Sequence, residues 1–197
     1  MNQPFAVLPD LPLQAKSTFG PTTRSLTLVR LESPATAVMT DFASVTPVTV
    51  TPQTPIDVAL GKMKTAGVRL LFVVNDIDEI IGLITARDIL GERPIQYTQQ
   101  TRVARAAISV AAIMTPQSDI QVLDAARLET ALVGDIVATL HALQRQHALV
   151  AKFDAATRTH RVIGMFSTTR ISRLLGDDVV QNSPPARSLA EIVEKIG

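Results

Sequence analysis

An internal repeat constrains the fold of this chain more than any other feature of its sequence. A Met-Thr pair occurs at residues 39–40 and again at 114–115, and the same order of predicted elements follows each pair. The spacing between the two copies is larger at Gly82 and Gly164 than at the Met-Thr pairs. The second copy therefore contains extra residues, which we place in a loop over residues 124–132.

The first copy predicts a strand, a helix, a hairpin and a second short helix. The first helix is expected to have Thr54 as its N-cap and Pro55 at its first position, and to end at Gly67. Its apolar residues recur at helical spacing, at Ile56, Leu60, Met63 and Ala66. The other elements are the strand Val48–Val50, the strands Leu70–Val74 and Ile80–Ile84 around a turn at 75–79, and the helix Thr85–Leu90 before Gly91.

The second copy repeats this order. A helix from about Val133 to Arg145 carries one apolar face, made of Val133, Ile136, Leu140 and Leu143. The other predicted elements are the strands Ile120–Leu123, Ala148–Lys152 and Val162–Phe166 and the helix Thr168–Leu175, which Gly176 ends.

The fold class is therefore α/β of the α+β type, with two β-α-β-β-α units. Neither three-stranded sheet could bury both of its faces alone, so we expect the units to stack around a pseudo-two-fold axis. The expected boundaries are an arm at 1–33, units at 34–92 and 113–176 with a linker at 93–112, and a tail at 177–197. The arm contains a β-like run at Ser25–Val29 and the tail a helix at Ser188–Ile196, with Ser188 as N-cap and Glu191 at N3.

Composition excludes several classes of function. Nineteen Lys and Arg residues face eighteen Asp and Glu residues, a balance that makes nucleic-acid binding an unfavoured function. The chain has no Cys, which removes disulfides and thiol chemistry and suits a cytoplasmic location. No apolar run approaches the ~20 residues of a membrane span, so we expect no membrane association. The histidines, His141, His147 and His160, lack metal-ligand spacing, so no metal site is expected.

The repeat resembles a tandem pair of cystathionine-β-synthase (CBS) domains. The first copy carries the resemblance in the segments 47–55, 67–74 and 82–88, which read PVTVTPQTP, GVRLLFVV and GLITARD. The second copy is more divergent and carries it in the segments 113–116 and 163–167, which read IMTP and IGMFS. The resemblance covers about residues 34–176, and the order and spacing of the motifs make it specific.

The resemblance implies a stand-alone regulatory module and not an enzyme. Tandem CBS pairs commonly bind adenosine nucleotides in the clefts between their units, and they often form disc-like homodimers. The expected ligand is thus an adenosine nucleotide (AMP, ADP or ATP) or a related small molecule, with no required cofactor, and the expected protein partner is unidentified. A ligand-free dimerisation or interaction scaffold is the alternative.

The segment 82–88 contains the sharpest candidate site, Thr85 and Asp88. In the family pattern Gly-x-x-Thr-x-x-Asp, the resemblance implies that the carboxylate accepts hydrogen bonds from the ribose hydroxyls and that the threonine contacts ribose or phosphate. The same spacing is close to a capping box, in which both side chains satisfy the N–H groups of their own helix. From the sequence, the two roles of the pair stay open.

Further residues are candidates for the walls of the same cleft. Pro47 and Val48 precede the first strand, and Leu71 and Phe72 lie on the second. Phe72 either packs on a base, fills the cleft or lies in the core. Arg69 is a candidate phosphate contact, with a solvated surface residue as the alternative.

The second copy departs from the family pattern at the corresponding place. Ser167 takes the position of the threonine, but Arg170 stands where the aspartate is expected. A guanidinium has only hydrogen-bond donors, so it cannot accept a bond from a ribose hydroxyl. We therefore expect at most one ordinary nucleotide site in each chain, with Arg170 either facing a phosphate or lying on the surface.

The linker also contains basic residues. Arg102 and Arg105 are three apart and would share one face if that stretch were helical. They could then reach a phosphate in the cleft, although solvated surface arginines are the more common case.

Overall fold

The structure is a computed structural model that describes residues 29–175. It contains two four-stranded sheets with helices packed against them, in the α+β arrangement that the sequence predicts. The strands are β1 (Thr40–Asp41), β2 (Thr49–Val50), β3 (Leu70–Val74), β4 (Ile80–Thr85), β5 (Thr115–Pro116), β6 (Val122–Asp124), β7 (His147–Asp154) and β8 (Thr159–Ser167). The helices are α1 (Ile56–Ala66), α2 (Ala86–Leu90), α3 (Arg93–Thr101), α4 (Val110–Ile113), α5 (Val133–Ala142) and α6 (Thr168–Leu175).

Each sheet contains one edge strand from the other copy of the repeat. The first sheet has the order β2-β3-β4-β5, and the second has the order β1-β8-β7-β6. β5, at the start of the second copy, pairs with β4, and β1, at the start of the first copy, pairs with β8. The two Met-Thr pairs thus lie on opposite sheets, and the exchange is reciprocal, as a pseudo-two-fold relation requires.

The core of each unit includes residues from beyond the edge of its copy. Val110 and Ile113 are buried in the core of the first unit, while Ala35 and Val38 are buried in that of the second. A third cluster, made of Leu70, Phe72 and Leu149, is buried between the sheets. The boundaries 34–92 and 113–176 stay a prediction, and the packing described here crosses both of them.

Two glycines allow the exchanged edge strands to approach closely. A Cβ on Gly82 would lie 2.7 Å from Met114 Sδ and 2.8 Å from the Thr115 carbonyl oxygen. A Cβ on Gly164 would lie 2.7 Å from the Thr40 carbonyl oxygen and 3.0 Å from Met39 Sδ. Any other residue at either position would push the edge strand away.

Several local expectations need correction. Pro55, not Thr54, is the N-cap of α1, and the Thr54 hydroxyl instead bonds the Thr51 hydroxyl at 3.0 Å. Gly67 does end α1, in the left-handed conformation with φ 66°. Ala59 lies on the buried face of α1, whereas Ala66, which the sequence predicts on that face, is exposed. The second-copy loop at 124–132 contains a 3₁₀ helix at Ala125–Glu129.

The helix of the second copy is shorter than predicted. It ends at Ala142, and Leu143, which was expected on the buried face, is 52% exposed. α6 begins at Thr168 as predicted, but its end at Gly176, the C-terminal helix 188–196 and most of the run Ser25–Val29 lie outside the described residues. The linker 93–112 contains two helices that were not predicted, α3 and α4.

Candidate functional site

A cavity of about 820 Å³ lies between the two units, and both units contribute to its walls. Its apolar surface comes from the facing strands and from the segment before β6. Around this surface stand four glutamines and a balanced set of charged side chains. The apolar residues are Leu70, Leu83, Ile120 and Leu149; the glutamines are Gln96, Gln121, Gln144 and Gln146; the charged residues are Arg87, Arg93, Arg145, Asp88, Glu92 and Asp119.

Thr85 and Asp88 lie on one wall of this cavity, at the start of α2. They form a complete capping box. The Thr85 N–H donates to Asp88 Oδ2 at 2.8 Å, and the Asp88 N–H donates to the Thr85 hydroxyl at 3.3 Å. The Thr85 hydroxyl donates to the same Oδ2 at 2.6 Å. Thr85 and Asp88 therefore do cap their own helix, as their spacing allows, and both residues also line the cavity.

The second oxygen of the Asp88 carboxylate faces Arg93. The Arg93 Nη1 atom lies 3.1 Å from Asp88 Oδ1, in an ion pair whose aspartate side chain is only 14% exposed. A carboxylate offers about four lone-pair positions to donors. Thr85 donates to two of these positions, both on Oδ2, and Oδ1 forms the ion pair with Arg93, so at least one acceptor position on Oδ1 is left.

His147 lies on the opposite wall of the cavity, at the start of β7. Burial and then the nearby positive charge of Arg69 lower its pKa to about 4, although the Asp88 carboxylate acts in the other direction. The imidazole is therefore neutral at pH 7, and it can offer a ligand one donor or one acceptor without a charge.

The predicted wall residues do not line this cavity. Leu71 and Phe72 are 0% and 3% exposed, with Leu71 in the core of the first unit and Phe72 between the sheets. The Phe72 ring packs edge-on against Phe42, with centroids 5.7 Å apart. Arg69 is exposed and lies outside the lining, near enough to His147 to affect its pKa.

The register of the two sheets explains why Pro47 and Val48 are absent from the lining. Thr49 pairs with Phe72 in the first sheet, and Val122 pairs with Leu149 in the second. By this correspondence, Ile120 and Gln121 are the counterparts of Pro47 and Val48. It is these two residues that line the cavity beside Asp88, because the segment before β6 faces the other unit.

The corresponding pair in the second unit, Ser167 and Arg170, makes structural contacts. The Ser167 hydroxyl accepts a bond from the Arg170 N–H at 3.2 Å, which caps α6 as Thr85 caps α2. The Arg170 side chain donates from Nε to the Val38 carbonyl oxygen at 3.2 Å. A binding role for this pair stays a prediction.

The linker arginines do not share a helix face. Arg102 ends α3 in the left-handed conformation, and Arg105 begins a separate 3₁₀ helix. Arg105 Nη2 lies 3.3 Å from Asp57 Oδ1 and donates to the Ile89 carbonyl oxygen at 3.1 Å. Neither residue lines the cavity. The helical pairing that would bring them to a phosphate is thus wrong.

The sequence did not indicate Arg93, His147, Ile120 or Gln121 as site residues. Arg93 falls within the predicted linker, and the spacing of His147 in the sequence bears only on metal binding. The one available signal was the repeat itself, since aligning the hairpins places His147 opposite Ser167 as Leu70 is placed opposite Thr85. Within residues 29–175, no cluster of three or more His, Asp or Glu side chains is arranged to hold a metal ion. Of the helices described, none is long and apolar enough to cross a membrane.

Comparison with known proteins agrees with this architecture. Residues 36–94 match the family model described as "CBS domain". No curated protein matches the sequence of the chain. The first unit of the chain therefore matches the CBS-domain model, and residues 29–175 share the fold of a solved structure described as a CBS domain.

Solved structures support the assignment of the fold. An uncharacterised conserved protein from Pyrococcus horikoshii matches with a TM-score of 0.53 and 19% identity, over 74% of this chain and 93% of that one. A structure described as a CBS domain matches with a TM-score of 0.50 and 20% identity, over 72% and 96%. A protein from Methanocaldococcus jannaschii matches with a TM-score of 0.52 and 21% identity, over 74% and 50%.

Proposed function

We propose that this protein is a regulatory module that binds an adenosine nucleotide (AMP, ADP or ATP) in the cavity between its CBS units. One observation carries the proposal: Asp88 presents a free acceptor position on the wall of a cavity of about 820 Å³ with an apolar surface. Cavities of this size typically hold small-molecule ligands, and they combine apolar walls with a few placed polar groups.

The lining suits the parts of a nucleotide. The purine ring packs against Leu70 and Leu149, and the amides of the surrounding glutamines can both donate to and accept from the edge of the base. A ribose hydroxyl donates to Asp88 Oδ1, a charge-assisted bond of the stronger kind. Arg87 and Arg145 supply positive charge for phosphate from the two sides of the cavity. Arg69, Pro47, Val48, Leu71 and Phe72 have no direct role in this proposal.

Ligand binding would change the arrangement of the two units and so alter their contacts with a protein partner. The nucleotide contacts both units, so it stabilises the arrangement in which the cavity walls are close. Such a signal requires that the ligand bind one arrangement better than another. We extend the proposal to a homodimer formed through the helices, because Val58 on α1 and Leu90 on α2 are 59% and 68% exposed. The module itself would not be catalytic, and its cytoplasmic location stays a prediction.

A ligand-free interaction scaffold is the second candidate. The observation that favours it is the engagement of Asp88, whose carboxylate already serves Thr85 and Arg93. In that case the capping box and the ion pair are the whole role of this residue.

Thermal unfolding in the presence of AMP, ADP and ATP tests the proposal. A ligand at about 100 times its Kd stabilises a native protein by ~2.7 kcal/mol. For a protein of this size the expected rise in Tm is roughly 2–4 °C for each kcal/mol. We expect Asp88→Asn to weaken binding of the active nucleotide at least about tenfold, because it removes a charged acceptor. The same variant should no longer distinguish that nucleotide from its 2′-deoxy and 3′-deoxy analogues.

Asp135→Asn is the matched control. The Asp135 carboxylate also accepts the N–H of an N-cap residue, Leu132, at 2.8 Å, but it lies on α5 outside the cavity. Both variants should lower the Tm of the free protein, and only Asp88→Asn should affect nucleotide binding. If no nucleotide raises the Tm of the wild-type protein, the scaffold is the better description.

A further inference from the structure

One nitrogen of Arg93 faces three acceptors. Nη1 donates to the Ile113 carbonyl oxygen at 2.7 Å, lies 3.1 Å from Asp88 Oδ1, and lies 3.4 Å from the Thr115 hydroxyl oxygen. This nitrogen carries two hydrogens, so it cannot make three full hydrogen bonds at once. The Arg93 side chain is 47% exposed, which leaves it free to move among these partners.

Two of the three acceptors belong to the segment that joins the units. We call residues 110–121 the crossover segment. It contains α4 and β5, and it ends in Ile120 and Gln121 on the cavity wall. Arg93 thus connects Asp88, whose carboxylate is proposed to bind the ligand in the first unit, to the segment that leads into the second unit.

The second unit makes the corresponding contact without a carboxylate. The Val38 carbonyl precedes the Met-Thr pair of β1, as the Ile113 carbonyl precedes that of β5. Arg170 stands at the position of Asp88 in its own capping motif and donates directly to the Val38 carbonyl oxygen at 3.2 Å. In the second unit, no acidic group stands at the position of Asp88 to compete for the guanidinium. The contact of Arg170 with the Val38 carbonyl oxygen therefore does not depend on a ligand there.

We propose that Arg93 couples the state of the Asp88 carboxylate to the crossover segment, and that only the first unit carries this coupling. The proposal rests on the proposed function, since it describes how occupancy of that site is transmitted. Arg93 is a positioning residue here, because it acts through Asp88 and the Ile113 carbonyl.

The direction of the effect follows from the competition at Nη1. A hydroxyl that donates to Asp88 Oδ1 satisfies part of its negative charge and weakens its attraction for Arg93. The guanidinium then bonds more fully to the Ile113 carbonyl and the Thr115 hydroxyl. The crossover segment should therefore open less often, and its amide hydrogens should exchange more slowly.

Amide hydrogen exchange of the free protein tests the coupling without a ligand. Asp88→Asn removes the carboxylate charge, and we expect it to slow exchange in residues 110–121 at least about fivefold, the lower end of the range for coupled sites. In the Arg93→Gln background, the same substitution should not slow exchange there. Damage to the capping box alone would affect both backgrounds equally, so the difference between them measures the role of Arg93.

The pair of Asp57 and Arg105 provides a matched control. Arg105 also joins a carboxylate to a backbone carbonyl, that of Ile89, and its side chain is 44% exposed. Asp57→Asn should leave exchange in the crossover segment unchanged. Arg93→Lys, which keeps the charge and loses the planar fork, serves as a second variant should Arg93→Gln fold poorly.

In a second arm of the experiment, amide hydrogen exchange is measured with the nucleotide that gives the largest Tm shift. We expect this nucleotide to slow exchange in the wild-type protein at residues 110–114, which do not line the cavity, and to lose this effect in Arg93→Gln at a nucleotide concentration that saturates the variant. A slowing that persists in Arg93→Gln, in either arm, would overturn the coupling, as would no slowing by Asp88→Asn. If no nucleotide raises the Tm, the proposed function fails, and the first arm still decides whether Arg93 couples the two elements.

Discussion

Asp88 shows how one side chain can stabilise a helix and also lie on the wall of a cavity. Its carboxylate caps α2 with one oxygen and forms an ion pair with Arg93 through the other, and the residue lines the cavity. At the level of sequence, capping and ribose recognition require the same residue at the same spacing. The structure shows that capping is satisfied, and it leaves room for a ligand beside it.

His147 predicts a pH dependence of stability. The pKa of its imidazole is lowered from the ordinary value of 6.5 to about 4 in the folded protein. As the pH falls, the unfolded chain therefore binds a proton before the folded protein does. Stability contributed by the neutral imidazole is thus present at pH 7 and is lost as the pH falls from 6.5 towards 4. The expected loss between pH 7 and pH 5 is about 1–2 kcal/mol.

Urea unfolding at pH 7 and pH 5 measures this effect. We expect His147→Gln to reduce the loss of stability between the two pH values by about 1 kcal/mol or more. His141→Gln, on the exposed surface of α5, is the control and should retain the wild-type dependence. An unchanged pH dependence in His147→Gln would show that burial of this imidazole does not determine it.

At the scale of elements, the edge strands β1 and β5 join the two units although each is only two residues long. Each completes the sheet of the other unit, and each passes directly over a glycine. The sequence shows both Met-Thr pairs and both glycines. Only the strand order shows that each pair contacts the glycine of its partner unit.

Gly82→Ala tests this packing. The added Cβ would lie 2.7 Å from Met114 Sδ and 2.8 Å from the Thr115 carbonyl oxygen, so β5 must shift. We expect a loss of about 1–3 kcal/mol in the free energy of unfolding, the usual cost of overpacking. Gly61→Ala is the control, because nothing lies within 4 Å of its Cβ on α1, and it should stabilise the helix by up to about 1 kcal/mol. Equal stability of the two variants would contradict the close approach of β5.

At the scale of the whole molecule, the exchange of edge strands makes the two units interdependent. Ile113 completes the core of the first unit, Val38 that of the second, and a third cluster is buried between the sheets. A unit that unfolds alone would therefore remove an edge strand and core residues from its partner.

We accordingly expect the full chain to unfold in one cooperative transition. Hydrogen exchange followed by mass spectrometry across a urea series can report β3–β4 and β7–β8 separately. Both hairpins should lose protection at the same urea concentration. Two separate midpoints would show that the exchanged strands do not link the units energetically.

The sequence by itself determined the order of elements, because hydrophobic periodicity, glycine stops and capping residues act over short distances. Leu70–Val74 has the predicted bounds and α6 begins at the predicted Thr168 for this reason. The capping motif at Thr85 and Asp88 was likewise local, and both residues lie on the wall of the cavity. Helices α3 and α4 were missed because α3 contains few apolar residues and α4 is only four residues long.

Tertiary structure alone decided which residues meet across the cavity. Pairing between strands joins residues that are far apart in the chain, and no local pattern records which sheet a two-residue strand will join. The placement of Arg93 against Ile113 and the substitution of Ile120 and Gln121 for Pro47 and Val48 both follow from that pairing. The physical reason is that edge strands are held by backbone hydrogen bonds, which any sequence can make.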